Sequence, residues 1–380
     1  MIKNKKICSR CIYDEHIPNI SFSDDGICNY CDQIDFLKKE FGTGKKKGHK
    51  LLKNLIKKIK KEGQSKKYDC VIGVSGGTDS SYLLMKAKEW GLKPLAVHYD
   101  NTWNTATASM NIAKVTKYLD IDLFTYVVDN NEVNDMKLSF LRSGVPEFDA
   151  DTDIAFVQIL RQVAANKKIK YILEGHSFMT EGISPVGSNY FDGGYVADIH
   201  KKFGKLKMKS YPNMTFFQFM KWILLYRQKF IRPLWYINYS KEEAKKELSE
   251  KTGWQYYDGH HLENRASWFT HTLWLPRYGT DFRYLTLAAN VRNNKIKRLT
   301  ALKEMKKPII ESKMLINYVK KRLDLNHNEY KSIMNGTKRT WREFKTYKKR
   351  FEILKPIFYI LMKLNLVPVT FYQKYCNKID

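Results

Sequence analysis

The sequence predicts an α/β fold: a doubly wound parallel sheet, preceded by a four-cysteine module and followed by a mainly helical region. Apolar runs rich in β-branched residues alternate with helical patterns between residues 68 and 174, as in parallel sheets with helices on both faces. Four cysteines cluster before residue 32, and the alternation fades after about residue 200. The 380 residues exceed one ordinary domain. The predicted segments are 1–45 (cysteine module), 46–66 (linker helix), 67–200 (α/β domain), 201–300 (substrate-binding region) and 301–380 (helical extension).

The N-terminal cysteines have the spacing of a metal site. Four of the six cysteines form two C-x-x-C pairs separated by sixteen residues: Cys8, Cys11, Cys28 and Cys31. Two such pairs can surround one ion, so they predict a structural Zn²⁺ with all four positions filled. An iron–sulfur or redox role is the alternative. Cys70 on a predicted buried strand and Cys376 in the tail lack the context of a catalytic nucleophile.

The individual elements follow from local patterns. Gly42–Lys50, rich in glycine and lysine, predicts a linker. Helical spacing predicts an amphipathic helix over 49–62, whose basic face either contacts nucleic acid or is solvated. Short apolar runs predict strands at 69–74, 94–99, 123–128 and 170–174, and helical patterns follow at 81–87, 105–119 and 153–167.

The C-terminal half is predicted to be mainly helical. A helix over 240–251 is expected to be capped by Ser240, with Glu243 at the capping-box position, and 285–350 has helical character. The apolar, aromatic tail from Lys355 to Tyr375 predicts a packed element, with a membrane-surface anchor as the alternative.

The net charge of +28, from 67 Lys and Arg against 39 Asp and Glu, favours anionic partners such as nucleotides, sugar nucleotides, nucleic acid or lipid headgroups. A generally lysine-rich proteome is the alternative explanation. Cysteines rather than an apolar stretch follow the basic N-terminus, and no run of about 18 uncharged apolar residues occurs. We therefore expect a cytoplasmic protein without a transmembrane segment.

A glycine-rich loop lies between the first predicted strand and its helix: Ser75-Gly76-Gly77-Thr78-Asp79-Ser80. Two glycines permit a tight turn that points backbone N–H groups into one concavity, and the hydroxyls add donors. The helix N-terminus contributes partial positive charge for phosphates. The kinase-type P-loop and the Gly-x-Gly-x-x-Gly pattern are both absent here.

This loop resembles the PP-loop of the N-type ATP pyrophosphatases, a superfamily of the adenine nucleotide alpha hydrolase type. The resemblance implies that 67–200 is an ATP pyrophosphatase domain that cleaves ATP to AMP and pyrophosphate, and that Asp79 helps to place Mg²⁺. The ATP-binding residues implied by resemblance and by position at strand ends are Ser75, Gly76, Gly77, Thr78, Asp79, Ser80, Asp100, Gly175 and His176. The expected catalytic residues are Asp79, Ser80, Asp100, Asp153 and Glu181.

Further stretches resemble one branch, the N-acetyl sugar amidotransferases of bacterial surface-polysaccharide (lipopolysaccharide and O-antigen) biosynthesis. The stretches are Asp100-Asn101-Thr102-Trp103-Asn104, Asp151-Thr152-Asp153, Glu174-Gly175-His176, Thr180–Pro185, Gly259–Arg265 and Leu275–Arg283. The resemblance implies that the enzyme adenylates the acetamido oxygen of an N-acetylated sugar, either free or nucleotide-linked, and that ammonia then replaces AMP, giving an acetamidino group. The resemblance covers roughly residues 8 to 300.

The expected substrate-binding residues are Trp103, Asn104, Thr180, His261, Glu263, Arg265, Arg277 and Arg283. Arginines read phosphate and carboxylate bidentately, although surface ion pairs would explain them equally well. His176 is interpreted as a phosphate donor or proton shuttle, or else as a structural histidine. Thr102 and His176 depart from the family's pattern, where a small residue such as glycine and an amide side chain are expected, so the exact sugar stays open.

No glutaminase signature is present, so the resemblance implies that ammonia comes from a separate glutaminase with a cyclase-like companion. Two alternatives share the features described so far: a tRNA-modifying PP-loop enzyme (a thiolase or a lysidine-type ligase) and a nucleic-acid-binding zinc protein that has lost catalysis. Thiolation normally needs cysteines in the catalytic cleft, and only Cys70 lies near the loop. Nucleic acid is therefore not the expected partner.

Overall fold

The computed structural model describes residues 5–185, 187, 189–257, 263–364 and 366–378. Within them, one five-stranded sheet forms the centre of the protein, and all of its strand pairs are parallel. The strands are β1 (Cys70–Gly73), β2 (Pro94–Asp100), β3 (Leu123–Val127), β4 (Tyr171–Leu173) and β5 (Lys229–Ile231), in the spatial order β3-β2-β1-β4-β5. The predicted doubly wound parallel sheet is confirmed.

The described helices surround this sheet. They are α1 (Asn29–Phe41), α2 (Lys46–Glu62), α3 (Thr78–Glu89), α4 (Ala106–Tyr118), α5 (Asn130–Ser143), α6 (Ala150–Asn166), α7 (Phe178–Glu181), α8 (Gly193–Phe203), α9 (Phe216–Leu224), α10 (Lys241–Thr252), α11 (Arg265–Phe269), α12 (Arg283–Arg292), α13 (Arg298–Lys306), α14 (Lys313–Arg322), α15 (His327–Met334), α16 (Lys348–Ile353), α17 (Lys355–Lys363) and α18 (Val369–Phe371). The mainly helical C-terminal region is thereby confirmed.

Successive residues of β1 pack on opposite faces of the sheet, as the period of a strand requires. Val71 faces a core shared with α5, α6 and α8, while Cys70 and Ile72 face a core shared with α2, α3, α4 and α10. All three β1 side chains are fully buried. Both faces of β1 are thus covered by helices, which is why its sequence is apolar throughout rather than alternating.

The chain changes direction across the sheet beside β1. β2 and β3 lie on one side of it, and β4 and β5 lie on the other. Open α/β sheets bind their ligands at the carboxyl ends of the strands at such a switch point. The loops that follow β1 and β4 therefore occupy the position expected for a ligand site.

The N-terminal segment packs against the C-terminal half rather than standing apart. The four clustered cysteines share a core with Ala288 and Val291 of α12 and with Ala301 of α13. At the other end, α17 and the tail pack against α9 through a cluster that includes Phe219, Phe358 and Cys376. The tail is thus a packed element, as predicted.

Several local expectations were wrong or incomplete. Gly42–Lys50 is not a linker: α2 begins at Lys46, and a Cβ on Gly48 would lie 2.3 Å from the carbonyl oxygen of Gly42. Ser240 precedes α10, but its side chain accepts no capping hydrogen bond. α5 and β5 were not predicted. The boundaries of the five predicted segments stay a prediction. The helix of the predicted linker segment, α2, packs on the sheet instead of bridging two units.

Candidate functional site at the β1–α3 loop

The loop between β1 and α3 is held by its own hydroxyl groups. The N–H of Ser75 donates to Ser80 Oγ at 3.3 Å, and the N–H of Gly77 donates to Ser75 Oγ at 3.3 Å. Gly77 is the N-cap residue of α3, whose first turn adds the partial positive charge of a helix N-terminus. The bend therefore offers hydroxyls and backbone N–H groups of the kind that cradle phosphate.

Two glycines allow the backbone to approach its neighbours closely. Gly76 has φ +80°, and a Cβ there would lie 2.3 Å from the carbonyl oxygen of Ala108. A Cβ on Gly175, after β4, would lie 2.8 Å from the carbonyl carbon of Asp79. Neither position accommodates a side chain without movement of backbone atoms.

The loop opens into a cavity of about 500 Å³, called here the loop cavity. The structure brings ten of the predicted site residues to its wall: Ser75, Gly77, Thr78, Asp79, Ser80, Gly175, His176, Thr180, Glu181 and Glu263. Apolar side chains of Phe156, Leu160 and Leu173 form another part of the wall. A pocket with an apolar side and a few converging polar groups is the usual form of a small-molecule site.

One lysine contacts two carboxylates near the N-terminus of α3. Lys241 Nζ lies 2.9 Å from Asp79 Oδ2 and 3.4 Å from Glu181 Oε1. The hydroxyl of Tyr239 also donates a hydrogen bond to Asp79. The cluster connects the helix after β1 with the segment after β4 and with the start of α10.

The charges of this cluster are unequal. Burial opposes ionisation of Asp79, but the Lys241 charge and the hydrogen bonds to the carboxylate outweigh it and lower the pKa of Asp79. Burial, together with the nearby Asp79 charge, raises the pKa of Glu181 well above its usual range. Asp79 is therefore the more readily ionised of the two carboxylates, and it lies beside the charged lysine.

His176 is a neutral, fully engaged histidine. Its Nδ1 accepts a hydrogen bond from Trp235 Nε1–H at 3.3 Å, which leaves the proton on Nε2 to be donated to the carbonyl of Gly182 at 3.1 Å. Burial and the neighbouring Arg232 charge lower the pKa of His176 to about 3. The ring lines the cavity, but the interpretation as a proton shuttle is not supported because both nitrogens are occupied. These contacts fit a structural histidine best.

Glu263 enters the cavity from the opposite side of the loop. A Cβ on Gly77 would lie 3.3 Å from Glu263 Oε1 and 3.1 Å from the hydroxyl of Tyr257. Burial raises the pKa of Glu263, and the hydrogen bond with Tyr257 opposes this shift. His261, predicted to bind substrate, lies outside the described residues.

Three predicted residues at the end of β2 lie away from the loop cavity. Asp100 Oδ1 accepts the N–H of Thr102 at 2.7 Å, so the carboxylate organises a turn. Thr102 has φ +63°, a conformation that favours glycine, which gives a physical reason for the glycine expected at this position. Trp103 is fully buried, and Asn104 accepts a hydrogen bond from Asn264 at 2.9 Å. Asp100 and Asn104 thus contact protein atoms, and Trp103 Nε1 is buried without a hydrogen-bond partner among the described residues. Their predicted roles in ligand binding stay predictions.

The three predicted arginines do not form one cluster. Arg265 donates to the carbonyl of Asn104 at 2.9 Å and Arg277 to the carbonyl of Ile333 at 3.1 Å. Arg283 pairs with Asp281 at 2.7 Å. None of them lines the loop cavity. The three guanidinium groups contact different parts of the protein, and Arg277 Nε and Nη1 are buried without a hydrogen-bond partner in the described part of the chain. Substrate binding by these arginines stays a prediction.

Asp153 lies in the first turn of α6 and faces a second cavity of about 530 Å³. Its side chain is exposed to this cavity, yet the enclosing protein raises the pKa of Asp153 to about 7, with a further contribution from the Asp149 charge. The second cavity shares Phe156, Glu174, His176 and Arg232 with the loop cavity. Asp153 therefore lies beside the loop cavity rather than in it.

Sequence reasoning missed several residues that line the loop cavity, among them Lys241, Arg232 and Tyr257. Arg232 follows β5 and donates to Glu174 Oε2 at 2.8 Å. Lys241 is the first residue of α10, where the helix dipole disfavours a cation. A lysine directly after a predicted N-cap was the signal that could have identified it.

The four N-terminal cysteines form a compact set. Their ligand atoms all lie within 4.8 Å of one another, with Sγ–Sγ distances of 3.9, 3.7 and 3.6 Å for Cys8–Cys31, Cys11–Cys28 and Cys28–Cys31. Tetrahedral Zn²⁺ with Zn–S bonds of about 2.3 Å requires an Sγ–Sγ edge of about 3.8 Å. The cluster could therefore bind a single zinc ion.

Arg292 of α12 supports the thiolates. Its Nε donates to Cys31 Sγ and its Nη2 to Cys11 Sγ, both at 3.3 Å. Such hydrogen bonds and a nearby positive charge compensate the negative charge of a four-thiolate site. The candidate metal site is thus built from the N-terminal segment and from α12.

Comparison with known proteins gives one family match and weaker relatives. Residues 263–357 match the C-terminal domain of WbpG-like LPS biosynthesis proteins, which links this region to lipopolysaccharide biosynthesis. The uncharacterized protein MJ1599 of Methanocaldococcus jannaschii is 30% identical over 171 residues, 44% of this chain and 58% of that protein. The matched part thus spans less than two thirds of that relative.

Three solved structures share a distant likeness. NMN synthetase of Francisella tularensis has TM-score 0.36 and 13% identity, covering 74% of this chain and 93% of its own. NH₃-dependent NAD synthetase of Campylobacter jejuni has TM-score 0.32 and 12% identity, covering 77% and 97%. The U34-tRNA thiolase NcsA of Methanococcus maripaludis has TM-score 0.33 and 14% identity, covering 73% and 90%. Likenesses of this size carry no argument about activity.

Among the described residues, none of the helices combines the length and the apolar character needed to cross a bilayer.

Proposed function

We propose that the protein is an ATP-dependent amidotransferase of lipopolysaccharide or O-antigen biosynthesis, which converts an acetamido group of an N-acetylated sugar into an acetamidino group. The observation that carries the proposal is the strand–loop–helix of Ser75–Ser80, which opens into the loop cavity beside the Asp79–Lys241–Glu181 cluster. The match of residues 263–357 supports the lipopolysaccharide setting.

ATP would place its phosphates on the loop, where the N–H groups and hydroxyls donate hydrogen bonds. Lys241 would contribute positive charge beside the pyrophosphate leaving group, and the apolar wall at Phe156, Leu160 and Leu173 suits the adenine base. These residues supply position and electrostatics rather than covalent chemistry, as phosphoryl and adenylyl transfer generally require.

The carboxylates of this cavity fit Mg²⁺. Among the described residues, only the four cysteines bring three or more possible metal-ligand atoms within 4.8 Å of one another. The carboxylates of the loop cavity therefore do not form a complete metal site by themselves. Mg²⁺ at nucleotide sites takes one or two carboxylates, with phosphate and water as the other ligands. Asp79 and Glu181 would hold the ion, with Glu263 nearby, and the bound ion would neutralise phosphate charge.

The reaction proceeds in two steps. The amide oxygen attacks the α-phosphorus of ATP, the bond from this phosphorus to the bridging oxygen breaks, and pyrophosphate leaves. The amide N–H proton is released to solvent as the O-adenylyl imidate forms. Ammonia then attacks the imidate carbon, the C–O bond to the adenylyl group breaks, and AMP leaves, while the three hydrogens of ammonia remain on the protonated amidine product. Adenylation is needed because an amide oxygen is otherwise a poor leaving group.

Ammonia would come from a separate glutaminase subunit with a cyclase-like companion, and the enzyme would act in the cytoplasm. Of the described cysteines outside the metal cluster, Cys70 is buried on β1, where burial raises the pKa of its thiol well above the usual value, and Cys376 is buried in the tail. Neither suits glutamine hydrolysis or tRNA thiolation, which need an accessible thiolate.

The test is to incubate the full chain with ATP, Mg²⁺ and ammonium, together with a panel of UDP-diacetamido sugars and free N-acetylated sugar acids. AMP is measured together with the product mass, and Asp79→Asn serves as the inactive control. Sugar-dependent AMP release with replacement of oxygen by NH is the expected result. AMP release that depends on bulk tRNA instead would reject the proposal in favour of a tRNA-modifying enzyme.

A further inference from the structure

The second cavity adjoins the loop cavity and has a different character. Its volume is about 530 Å³, and it shares the wall formed by Phe156, Glu174, His176 and Arg232 with the loop cavity. The segment after α17 closes it, since Phe371 and Lys374 line it. A ligand there would therefore lie directly beside a nucleotide bound at the loop.

Arg161 presents a buried cation to this cavity. The residue is only 6% exposed, and its guanidinium lies over the rings of Phe230 and Phe219, at 4.7 and 5.6 Å from their centroids. Its one side-chain hydrogen bond goes to Gln228 at 3.4 Å, and Nε has no partner. No carboxylate of the described residues forms an ion pair with it. Burying a charge in this way is costly unless a partner is supplied.

Lys374 presents a second cation from the C-terminal tail. Its Nζ donates to Asn189 Oδ1 at 2.8 Å and lies 4.8 Å from the centroid of the Phe191 ring. Within the described chain it has no ion-pair partner either, and burial lowers the pKa of Lys374 to about 8. Asp153 and Glu147 act on Lys374, and Glu174 acts on Arg161, only through space and without a direct ion pair. The cavity thus holds two cations, set among aromatic rings, that can still take a direct anionic partner.

The aromatic walls restrict the kind of anion. Rings of Phe191, Phe219, Phe230 and Phe371 line the cavity, and such faces pack well against the apolar face of a sugar ring. Asp153 and Asn189 add acceptors for hydroxyl or amide hydrogens. A bare inorganic anion would leave most of this apolar surface unused.

We infer that the second cavity is the acceptor site, where Arg161 and Lys374 bind the carboxylate or phosphate of an anionic N-acetylated sugar. The inference rests on the proposed function for the identity of the acceptor. It places the acceptor beside the loop cavity, next to the four residues that line both cavities. It also assigns the C-terminal tail a direct part in substrate binding.

The test uses the full chain saturated with a non-hydrolysable ATP analogue and titrated calorimetrically with UDP-N-acetylglucosamine, N-acetylneuraminic acid and neutral N-acetylglucosamine. The first probe carries phosphate, the second carries carboxylate, and the third has neither. We expect at least one anionic probe to bind measurably more tightly than the neutral one. Lys374→Met should weaken that binding by about tenfold, the value of one charge-assisted hydrogen bond, without changing affinity for the ATP analogue.

Lys363→Met is the matched control, because Lys363 is an exposed lysine of α17 and does not line the cavity. Arg161→Gln is a second variant, and Lys374→Arg should restore binding. The inference is overturned if neither anionic probe binds better than the neutral sugar, or if Lys374→Met and Arg161→Gln both leave the affinity unchanged. If AMP release depends on a sugar but those affinities are unchanged, this binding site is refuted and the proposed function stands. If an anionic probe binds but no sugar supports AMP release, the proposed function is refuted and the binding site stands.

Discussion

Lys241 Nζ lies 2.9 Å from Asp79 Oδ2, so the first residue of α10 is paired with the acidic residue of the β1–α3 loop. The same ammonium also lies 3.4 Å from Glu181. Without it, two partly buried carboxylates would face the cavity in which the phosphates are proposed to bind. The pairing explains how a loop that is proposed to bind phosphate can contain an aspartate.

Lys241→Met should therefore reduce both stability and ATP affinity. Removing one partner of a buried pair costs about 3 kcal/mol because the remaining charge is left uncompensated. Lys246→Met is the control, since Lys246 lies on the same helix with a 77% exposed side chain. Denaturant unfolding and calorimetric titration with ATP measure the two effects. If only stability falls and ATP affinity is retained, Lys241 has no role in binding nucleotide.

Gly76→Ala should damage the loop more than an equivalent change elsewhere. Gly76 and Gly253 both have positive φ, +80° and +69°, but a Cβ at Gly253 meets no atom within 4 Å, whereas one at Gly76 lies 2.3 Å from the Ala108 carbonyl oxygen. Gly253→Ala should cost about 1–2 kcal/mol for the left-handed backbone alone. Gly76→Ala should cost more and abolish ATP binding. Equal losses of stability from the two variants would show that the close contact is unimportant.

The loop and the first four strands could be predicted because their signals are local. A buried apolar strand, two glycines and a helix start occur within a dozen residues, so Ser75–Ser80 could be placed without knowing any distant contact. The same applies to the cysteines, whose two C-x-x-C pairs each define half of a site.

The rest of the site depends on distant contacts that have no local signal. Lys241 reaches Asp79 only because α10 packs beside α3, and β5 is a three-residue strand, Lys229–Ile231, too short to stand out. Arg277 and Arg283 lie close in sequence to a recognisable motif, yet they bond to Ile333 and Asp281. Proximity in sequence was therefore a poor guide to which arginines line the loop cavity.

Removal of the predicted zinc ion should destabilise the N-terminal segment and the helices α12 and α13 that pack against it. The cysteines share a core with α12 and α13, and Arg292 donates to two of the thiolates. We expect chelation or Cys11→Ser to eliminate bound zinc, lower the melting temperature and increase amide hydrogen exchange in 283–292. Cys376→Ser, a buried cysteine outside the cluster, should retain the metal. Mass spectrometry for metal content and hydrogen exchange would detect these changes, and unchanged zinc content in Cys11→Ser would contradict the assignment.

Glu147 should make stability depend on pH. Burial raises the pKa of Glu147 to about 7, although Tyr195 donates a hydrogen bond to it at 2.9 Å. Because the folded pKa lies above the unfolded value of about 4.3, folded protein holds the proton more tightly, and stability is lost as pH rises from about 4.3 to 7. The loss from this group could reach about 3 kcal/mol above pH 7.

Glu147→Gln keeps an acceptor for Tyr195 and cannot ionise, so it should be more stable than the wild type at pH 8 and similar to it near pH 4.5. Urea unfolding at a series of pH values measures the difference. Glu250→Gln is the matched control, because the Glu250 side chain is 64% exposed on α10. This substitution should leave the pH dependence of stability as it is in the wild type. Parallel stability curves for wild type and Glu147→Gln would show that folding does not change the pKa of this carboxyl group, contrary to its burial.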